Sequence, residues 1–283
     1  MNALPDLLIE PVVRLALHED LGRAGDLTAA ACVPAGTRMR AVVAARRAGV
    51  VAGLAIAPLT VRLLAPQATV ELLATDGDAV AAGAPLVRME GDARALLAAE
   101  RTLLNLVGRL CGVATLTRAY VEAVAGTGAR IADTRKTTPG LRALEKHAVR
   151  CGGGVNHRFG LDDAILIKDN HIAVCGGVAA AIRAARASAG HLVRVEVEVD
   201  TLDQFDLALV ERPDVIMLDN FELPQLREAV VRAGREPVRP VLEASGGVSL
   251  ETVRAIAETG VDVISVGALT HSAPALDVGL DVI

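Results

Sequence analysis

Aromatic side chains are nearly missing from this 283-residue chain, which has no tryptophan, one tyrosine and three phenylalanines. Proteins that bind nucleic acid broadly need basic surface and usually stacking rings. With a formal net charge of −5 the chain offers neither, so no nucleic-acid partner is expected. Long apolar runs are lacking as well. Hydrophobic residues make up 52% of the sequence, yet a charge interrupts them every few positions, well short of the roughly 20 apolar residues of a membrane span. No membrane partner is expected. The four cysteines, Cys32, Cys111, Cys151 and Cys175, form no CxxC pair and have no histidine at zinc spacing. That suits small core or loop residues in a reducing compartment better than a disulfide framework. Met1 to Asp6 carry neither the basic segment nor the apolar stretch of a secretory signal, and the expected location is cytoplasmic.

What is present divides the chain by texture. The first hundred or so residues mix helix and strand. Leu7 to Leu21 repeats apolar residues at helical spacing and stops at Gly22, whereas Arg38 to Ala45 and Val70 to Leu73 read as strands. Asp76-Gly77 marks a turn before another strand near Leu86 to Met89. From Asp92, a good N-cap, a helical pattern runs to about Ala125 and joins two domains; Gly108 and Gly112 inside it predict a bend or a close approach. After Gly128, short apolar runs alternate with helices: Ala129 to Ala132, Ala164 to Ile167, Val193 to Val199, Val215 to Leu218, Pro240 to Leu242 and Val261 to Val266. Helical segments between the later runs include Leu202 to Val210, Pro224 to Ala233 and Leu250 to Thr259. Such alternation implies parallel strands with crossover helices, in a (β/α) barrel or an open sheet. The barrel is the better reading, because polar groups stand immediately after the strands, where a barrel gathers them at one mouth.

Those groups carry the chemistry. Arg135, Lys136, His157, Arg158 and Lys168 make a basic cluster suited to a ligand with several carboxylates or phosphates, arginine giving two-point recognition and lysine a compact charge. Gly152-Gly153-Gly154 ahead of them permits close backbone approach. Glu198 and Asp219 are acids near the ends of separate strands, placed to hold magnesium, directly or through substrate or water, to bond ribose hydroxyls, or to stabilise positive charge on a ribosyl carbon. Glu196 shares a strand face with Glu198; we favour Glu198 because it lies nearer the carboxyl end. Ser245-Gly246-Gly247 and Ser265-Val266-Gly267-Ala268, at the last two strands, suit the paired late loops that bind phosphate in such barrels. A barrel that only bound an anion would not need the rim carboxylates, which favours catalysis.

The block Asp133-Thr134-Arg135-Lys136-Thr137-Thr138-Pro139-Gly140-Leu141-Arg142 resembles the quinolinate phosphoribosyltransferases. The likeness continues through Asn156-His157-Arg158, Lys168-Asp169-Asn170-His171, Glu196-Val197-Glu198-Val199, Met217-Leu218-Asp219-Asn220 and Glu243-Ala244-Ser245-Gly246-Gly247. Upstream, Gly25-Asp26-Leu27-Thr28 and Glu100-Arg101-Thr102-Leu103-Leu104-Asn105 also match, so it covers essentially the whole chain. The resemblance implies an α/β fold: an N-terminal α/β sandwich domain over residues 1–112, rejoined by the tail 271–283, and an incomplete (β/α) barrel over 113–270. It implies transfer of a phosphoribosyl group from phosphoribosyl pyrophosphate to quinolinate, with loss of carbon dioxide, in NAD biosynthesis. Magnesium is implied and no organic cofactor. By position, Arg101, Thr134, Arg135, Lys136, His157, Arg158 and Lys168 would meet the quinolinate carboxylates and the pyrophosphate. Glu198 and Asp219 would meet ribose and magnesium, and Ser245, Gly246, Gly247, Val266, Gly267 and Ala268 would hold the 5-phosphate. Lys136, Lys168, Glu198 and Asp219 are the expected catalytic set. A homodimer with shared active sites is implied too.

Overall fold

The computed structural model describes residues 4–283. In chain order its elements are α1 (Asp6–Leu21), α2 (Leu27–Cys32), β1 (Arg38–Ala45), β2 (Gly49–Val50), α3 (Ile56–Leu64), β3 (Thr69–Leu72), β4 (Ala79–Val80), β5 (Pro85–Asp92), α4 (Ala93–Ala123), β6 (Arg130–Ala132), α5 (Arg142–Cys151) and β7 (Ile165–Ile167). There follow α6 (Asp169–Cys175), α7 (Val178–Ser188), β8 (Val195–Val199), α8 (Leu202–Glu211), β9 (Val215–Asp219), α9 (Leu223–Ala233), β10 (Val241–Ser245), α10 (Val253–Ala257), β11 (Val263–Ser265), α11 (Ala268–His271) and β12 (Val278–Val282). They form two compact units.

The first unit comprises residues 1–118, 137–153 and 269–283. Its four-stranded antiparallel sheet has the order β12-β1-β5-β3, with Ala41 opposite Met89 and Val43 opposite Leu280. Alternation along β1 buries Met39, Ala41 and Val43. In α1 the residues four apart, Ile9, Val13 and Leu17, form the buried face. The long helix α4 starts where expected, with the Asp92 carboxylate accepting the Ala95 N–H at 3.0 Å. Its glycines mark close approach: a Cβ on Gly108 would stand 2.9 Å from the Leu276 carbonyl oxygen, and one on Gly112 would overlap that of Pro274. The tail thereby reaches β1, where β12 completes the sheet. Burial pushes the Cys111 thiol up to about 11 and that of Cys151 up to about 12, so both stay protonated.

Within this unit α5 buries charge. Glu145 is fully buried; its Oε1 accepts from Arg109 Nε and Nη2 at 3.1 and 2.9 Å and from the Thr138 hydroxyl at 2.8 Å, and its Oε2 accepts the Thr138 N–H at 3.0 Å. The Arg109 guanidinium also donates to the carbonyls of Thr270 and Ala273. Two residues along, His147 Nε2 lies 2.7 Å from Asp76 Oδ2.

The second unit comprises residues 119–136 and 154–268. Its six-stranded parallel sheet has the order β6-β11-β10-β9-β8-β7. That order is a cyclic permutation of the chain order, which a sheet curling toward closure produces, with the seam between β6 and β7. The segment after residue 154 lies along the seam: Val155 N–H donates to the Ile131 carbonyl at 2.8 Å and Asp133 N–H to that of Val155 at 3.2 Å. The strands are apolar on their helix-covered side, as in Val195, Val197 and Val199 of β8. Their other face carries Glu196 and Glu198 on β8, Met217 and Asp219 on β9, and Glu243 and Ser245 on β10. This is the incomplete barrel, and its inner face is where the polar groups gather.

Candidate active site

A cavity of about 260 Å³ opens at the carboxyl ends of these strands. Each strand delivers a side chain at or just past its last residue: Thr134, Arg135 and Lys136 after β6, Lys168 after β7, Glu198 and Asp219 from β8 and β9, Ser245 and Ser265 from β10 and β11. His157 and Arg158 enter from the seam. Nine residues expected from sequence therefore meet in one place: Thr134, Arg135, Lys136, His157, Arg158, Lys168, Glu198, Asp219 and Ser245. Gly246, Gly247, Val266, Gly267 and Ala268 follow Ser245 and Ser265 directly in the chain without lining the cavity. Arg101 is exposed on α4 in the first unit and does not line it either.

Local structure fixes these groups. Thr134 Oγ1 accepts the Lys136 N–H at 3.0 Å, a short turn that carries Arg135 and Lys136 away from β6. Asp133, fully buried, accepts from Asn156 Nδ2 at 2.6 Å and from the His157 backbone N–H at 2.9 Å, anchoring the seam segment. Asn220, at φ 56, donates its backbone N–H to the Ser245 carbonyl at 2.9 Å and its side-chain amide to Asp219 Oδ2 at 2.7 Å. Glycine is needed at Gly246, where φ is +93 and a Cβ would overlap the Asn220 side-chain oxygen.

Arg135, Lys136, Arg158 and Lys168 face Glu198 and Asp219, which leaves the cavity positive and fit for an anion. Lys168 Nζ pairs directly with Glu198 Oε2. Burial lowers the pKa of Arg158, and the like charge of Arg135 lowers it further. Arg158 Nε is buried and has no hydrogen-bond partner among the described residues, so it is a donor a ligand can use. Beneath this layer, His157 Nε2 stands 3.1 Å from Glu196 Oε2 and 3.5 Å from Glu243 Oε1. Burial and the neighbouring Glu196 charge push the Glu243 carboxyl up to about 7.

Sequence reasoning assigned no role to Leu166 and Met217, which supply apolar wall, or to Asp133 and Glu243, which act on other site residues. Leu166 and Met217 lie two residues before Lys168 and Asp219, so period-two alternation was the available signal. Asp133 and Glu243 both stand in the blocks that carry the family resemblance, but their partners are distant in sequence, so their roles could not be read from it.

Comparison with known proteins bears directly on this arrangement. Residues 26–111 match the model of the quinolinate phosphoribosyl transferase N-terminal domain, and residues 113–281 that of its C-terminal domain. The nicotinate-nucleotide pyrophosphorylase [carboxylating] of Mycobacterium leprae is 51% identical over 271 residues, covering 95% of each chain. A probable enzyme of the same name from Bacillus subtilis is 46% identical, covering 93% of this chain and 90% of its own. The solved nicotinate-nucleotide pyrophosphorylase from Francisella tularensis superposes with a TM-score of 0.93 at 38% identity, covering 100% of this chain and 98% of the other. Matched in both domain models and along nearly all its length, the chain belongs to the quinolinate phosphoribosyltransferase family.

Proposed function

We propose that this chain transfers the phosphoribosyl group of phosphoribosyl pyrophosphate to quinolinate and releases carbon dioxide and pyrophosphate, yielding nicotinate mononucleotide for NAD biosynthesis. The observation that carries this reading is the convergence of four cations and two carboxylates on one cavity at the barrel mouth. A dicarboxylate and a diphosphate together need several cations, and a sugar that becomes cationic as it moves needs nearby negative charge.

Arg135 and Arg158 are suited to hold the quinolinate carboxylates by two-point contacts, with Lys136 and Lys168 meeting the pyrophosphate. The ring nitrogen attacks the anomeric carbon as the bond from that carbon to the pyrophosphate oxygen breaks. Glu198 and Asp219 stabilise the positive charge on the sugar in passing. Once ribosylated, the ring nitrogen is cationic, so the bond to the adjacent carboxylate breaks with its electrons drawn toward that nitrogen, and the ring carbon takes up a proton. Leu166 and Met217 give the flat ring an apolar wall and keep it oriented. Ser245, with Gly246 and Gly247 behind it, and the Val266-Gly267-Ala268 turn are placed for the 5-phosphate.

Glu198 and Asp219 fit magnesium in donor chemistry: two carboxylates on adjacent strands, open to a cavity that also takes a diphosphate. Magnesium held there with the substrate would neutralise charge on the leaving pyrophosphate. The family resemblance around Glu100-Arg101-Thr102 supports a homodimer in which one subunit's Arg101 serves its partner's site. The working location is the cytoplasm; no helix among the described residues is long and apolar enough to cross a membrane.

Release of labelled carbon dioxide from quinolinate tests the reading. It should require both phosphoribosyl pyrophosphate and magnesium, and Glu198→Gln should lower the turnover number while quinolinate binding persists. Pure protein that releases none under those conditions would refute it.

A further inference from the structure

Both ring nitrogens of His157 are turned to the protein. Nδ1 accepts the Arg158 backbone N–H at 2.7 Å, which requires that nitrogen to be unprotonated. The ring proton therefore sits on Nε2, and Nε2 faces Glu196 Oε2 at 3.1 Å and Glu243 Oε1 at 3.5 Å. All three side chains are nearly closed to solvent, at 11%, 9% and 5% exposure. Glu196 and Glu243 each lie two residues before a cavity-lining residue of the same strand, Glu198 and Ser245, so they form the next layer down in the barrel. His157 and Arg158 line the cavity at the mouth and also a second one of about 290 Å³ lined by Glu196 and Glu243. They are the partition between the two.

We propose that Glu196 and Glu243 are positioning residues for substrate recognition: they hold the His157 proton on Nε2, which leaves Nδ1 to anchor the Arg158 backbone and so aims the Arg158 guanidinium into the cavity. The same logic operates where a carboxylate fixes the tautomer of a catalytic or metal-bound imidazole. Here the oriented group is the next residue's arginine. Without these carboxylates, Nδ1 protonation competes, the Arg158 N–H loses its partner, and the side chain that follows is no longer fixed. Arg158 is also anchored by its Nη1, which donates to the Ala164 carbonyl at 3.2 Å. The proposal rests on the reading that the cavity takes quinolinate, Arg158 being one of its carboxylate ligands.

Two measurements test it. Nitrogen-15 NMR of histidine-labelled wild-type protein at neutral pH, with the His157 signals assigned by their loss in His157→Asn, should show Nε2 protonated and Nδ1 not. This needs no folded variant at the acids; an Nδ1-protonated or doubly protonated ring overturns the proposal. Second, Glu196→Leu and Glu243→Leu remove the carboxylates that face Nε2, while Glu196→Gln and Glu243→Gln keep a side-chain oxygen there. The leucine variants should raise the KM for quinolinate roughly tenfold to a hundredfold, the range expected for loss of one charge-assisted contact. The KM for phosphoribosyl pyrophosphate should stay within about twofold, because the proposal disturbs a carboxylate ligand and not the diphosphate ligands. The glutamine variants should recover most of the loss. Equal rises in both constants, with the Nε2 tautomer retained, would assign the acids a merely structural role and overturn the proposal. Should the leucine variants fail to fold, the glutamine variants and the wild-type tautomer decide. Wild-type protein that does not bind quinolinate by calorimetry overturns the reading of the cavity, and the substrate half of this proposal with it. The wrong tautomer in protein that does bind quinolinate overturns the proposal alone.

Discussion

A carboxyl group buried beside another carboxylate keeps its proton to higher pH, and Glu243 is placed that way against Glu196. Its value is pushed from 4.5 to about 7, burial being the larger cause and the Glu196 charge the next. Between those values the folded protein binds more protons at this residue than the unfolded chain does, so its contribution to stability falls as pH rises through the window and levels off above it. Glu243→Gln cannot lose a proton and should lack that slope. Urea unfolding at pH 5 and pH 8 checks this: relative to wild type, the variant should be more stable at pH 8 than at pH 5, and a difference that does not change with pH would contradict it. Glu243 also shows the limit of sequence reading for single residues. Lys168 and Asp219 were legible because each follows an apolar run, and a barrel brings such positions together. Glu243 follows the run Pro240 to Leu242 in the same way, yet nothing nearby in sequence shows that it points into the layer below the mouth or that its partners are His157, 86 positions upstream, and Glu196.

At the scale of elements, the strands of the parallel sheet were legible because short continuous apolar runs bounded by turn residues read as buried strands. Observed strands fall inside or within a few residues of the expected runs, β10 being displaced furthest, toward its polar end. The helix over Leu250 to Thr259 is shorter than its pattern, running only from Val253 to Ala257, since the Thr252 hydroxyl accepts the Ser249 N–H at 2.9 Å and holds the preceding residues in a turn. Helix α5 was not legible. It follows Thr-Thr-Pro-Gly-Leu and interleaves Arg, Glu, Lys and His with Leu, Ala and Val, burying Glu145, Lys146 and His147 beside Leu144, Ala148 and Val149. A buried face that mixes charges with apolar residues defeats a reading based on apolar spacing. That face has a strong stability consequence: Glu145→Ala leaves the Arg109 guanidinium without its carboxylate and should cost about 3 to 5 kcal/mol. Thermal or urea unfolding measures it, and a loss under about 1 kcal/mol would mean that water replaces the pair.

At the scale of the whole molecule, the open question is the expected sharing of sites between subunits. Arg101→Ala and Lys136→Ala dimers should each be nearly inactive, because every site lacks one cation. After dissociation and remixing, random pairing makes about half the dimers mixed. Each of these has one site with both cations restored, so recovery should approach roughly a quarter of wild-type activity. Verified exchange without recovery would mean that Arg101 serves its own subunit. The barrel was legible from the change of texture near Gly128. The return of the tail to the first unit was expected only from the family resemblance, since pairing between β1 and β12 spans more than two hundred residues, and the place of residues 137–153 in that unit rather than with the barrel was not legible.

That pairing sets an order of events during synthesis. Every strand of the parallel sheet leaves the ribosome before Val278 to Val282, the strand that pairs with β1. Until then the antiparallel sheet has an uncovered edge at β1, with backbone donors and acceptors free to recruit another chain. The early-made unit is therefore the last to be finished, and the interval in which a nascent chain is most prone to aggregate extends until Val278 to Val282 have been made.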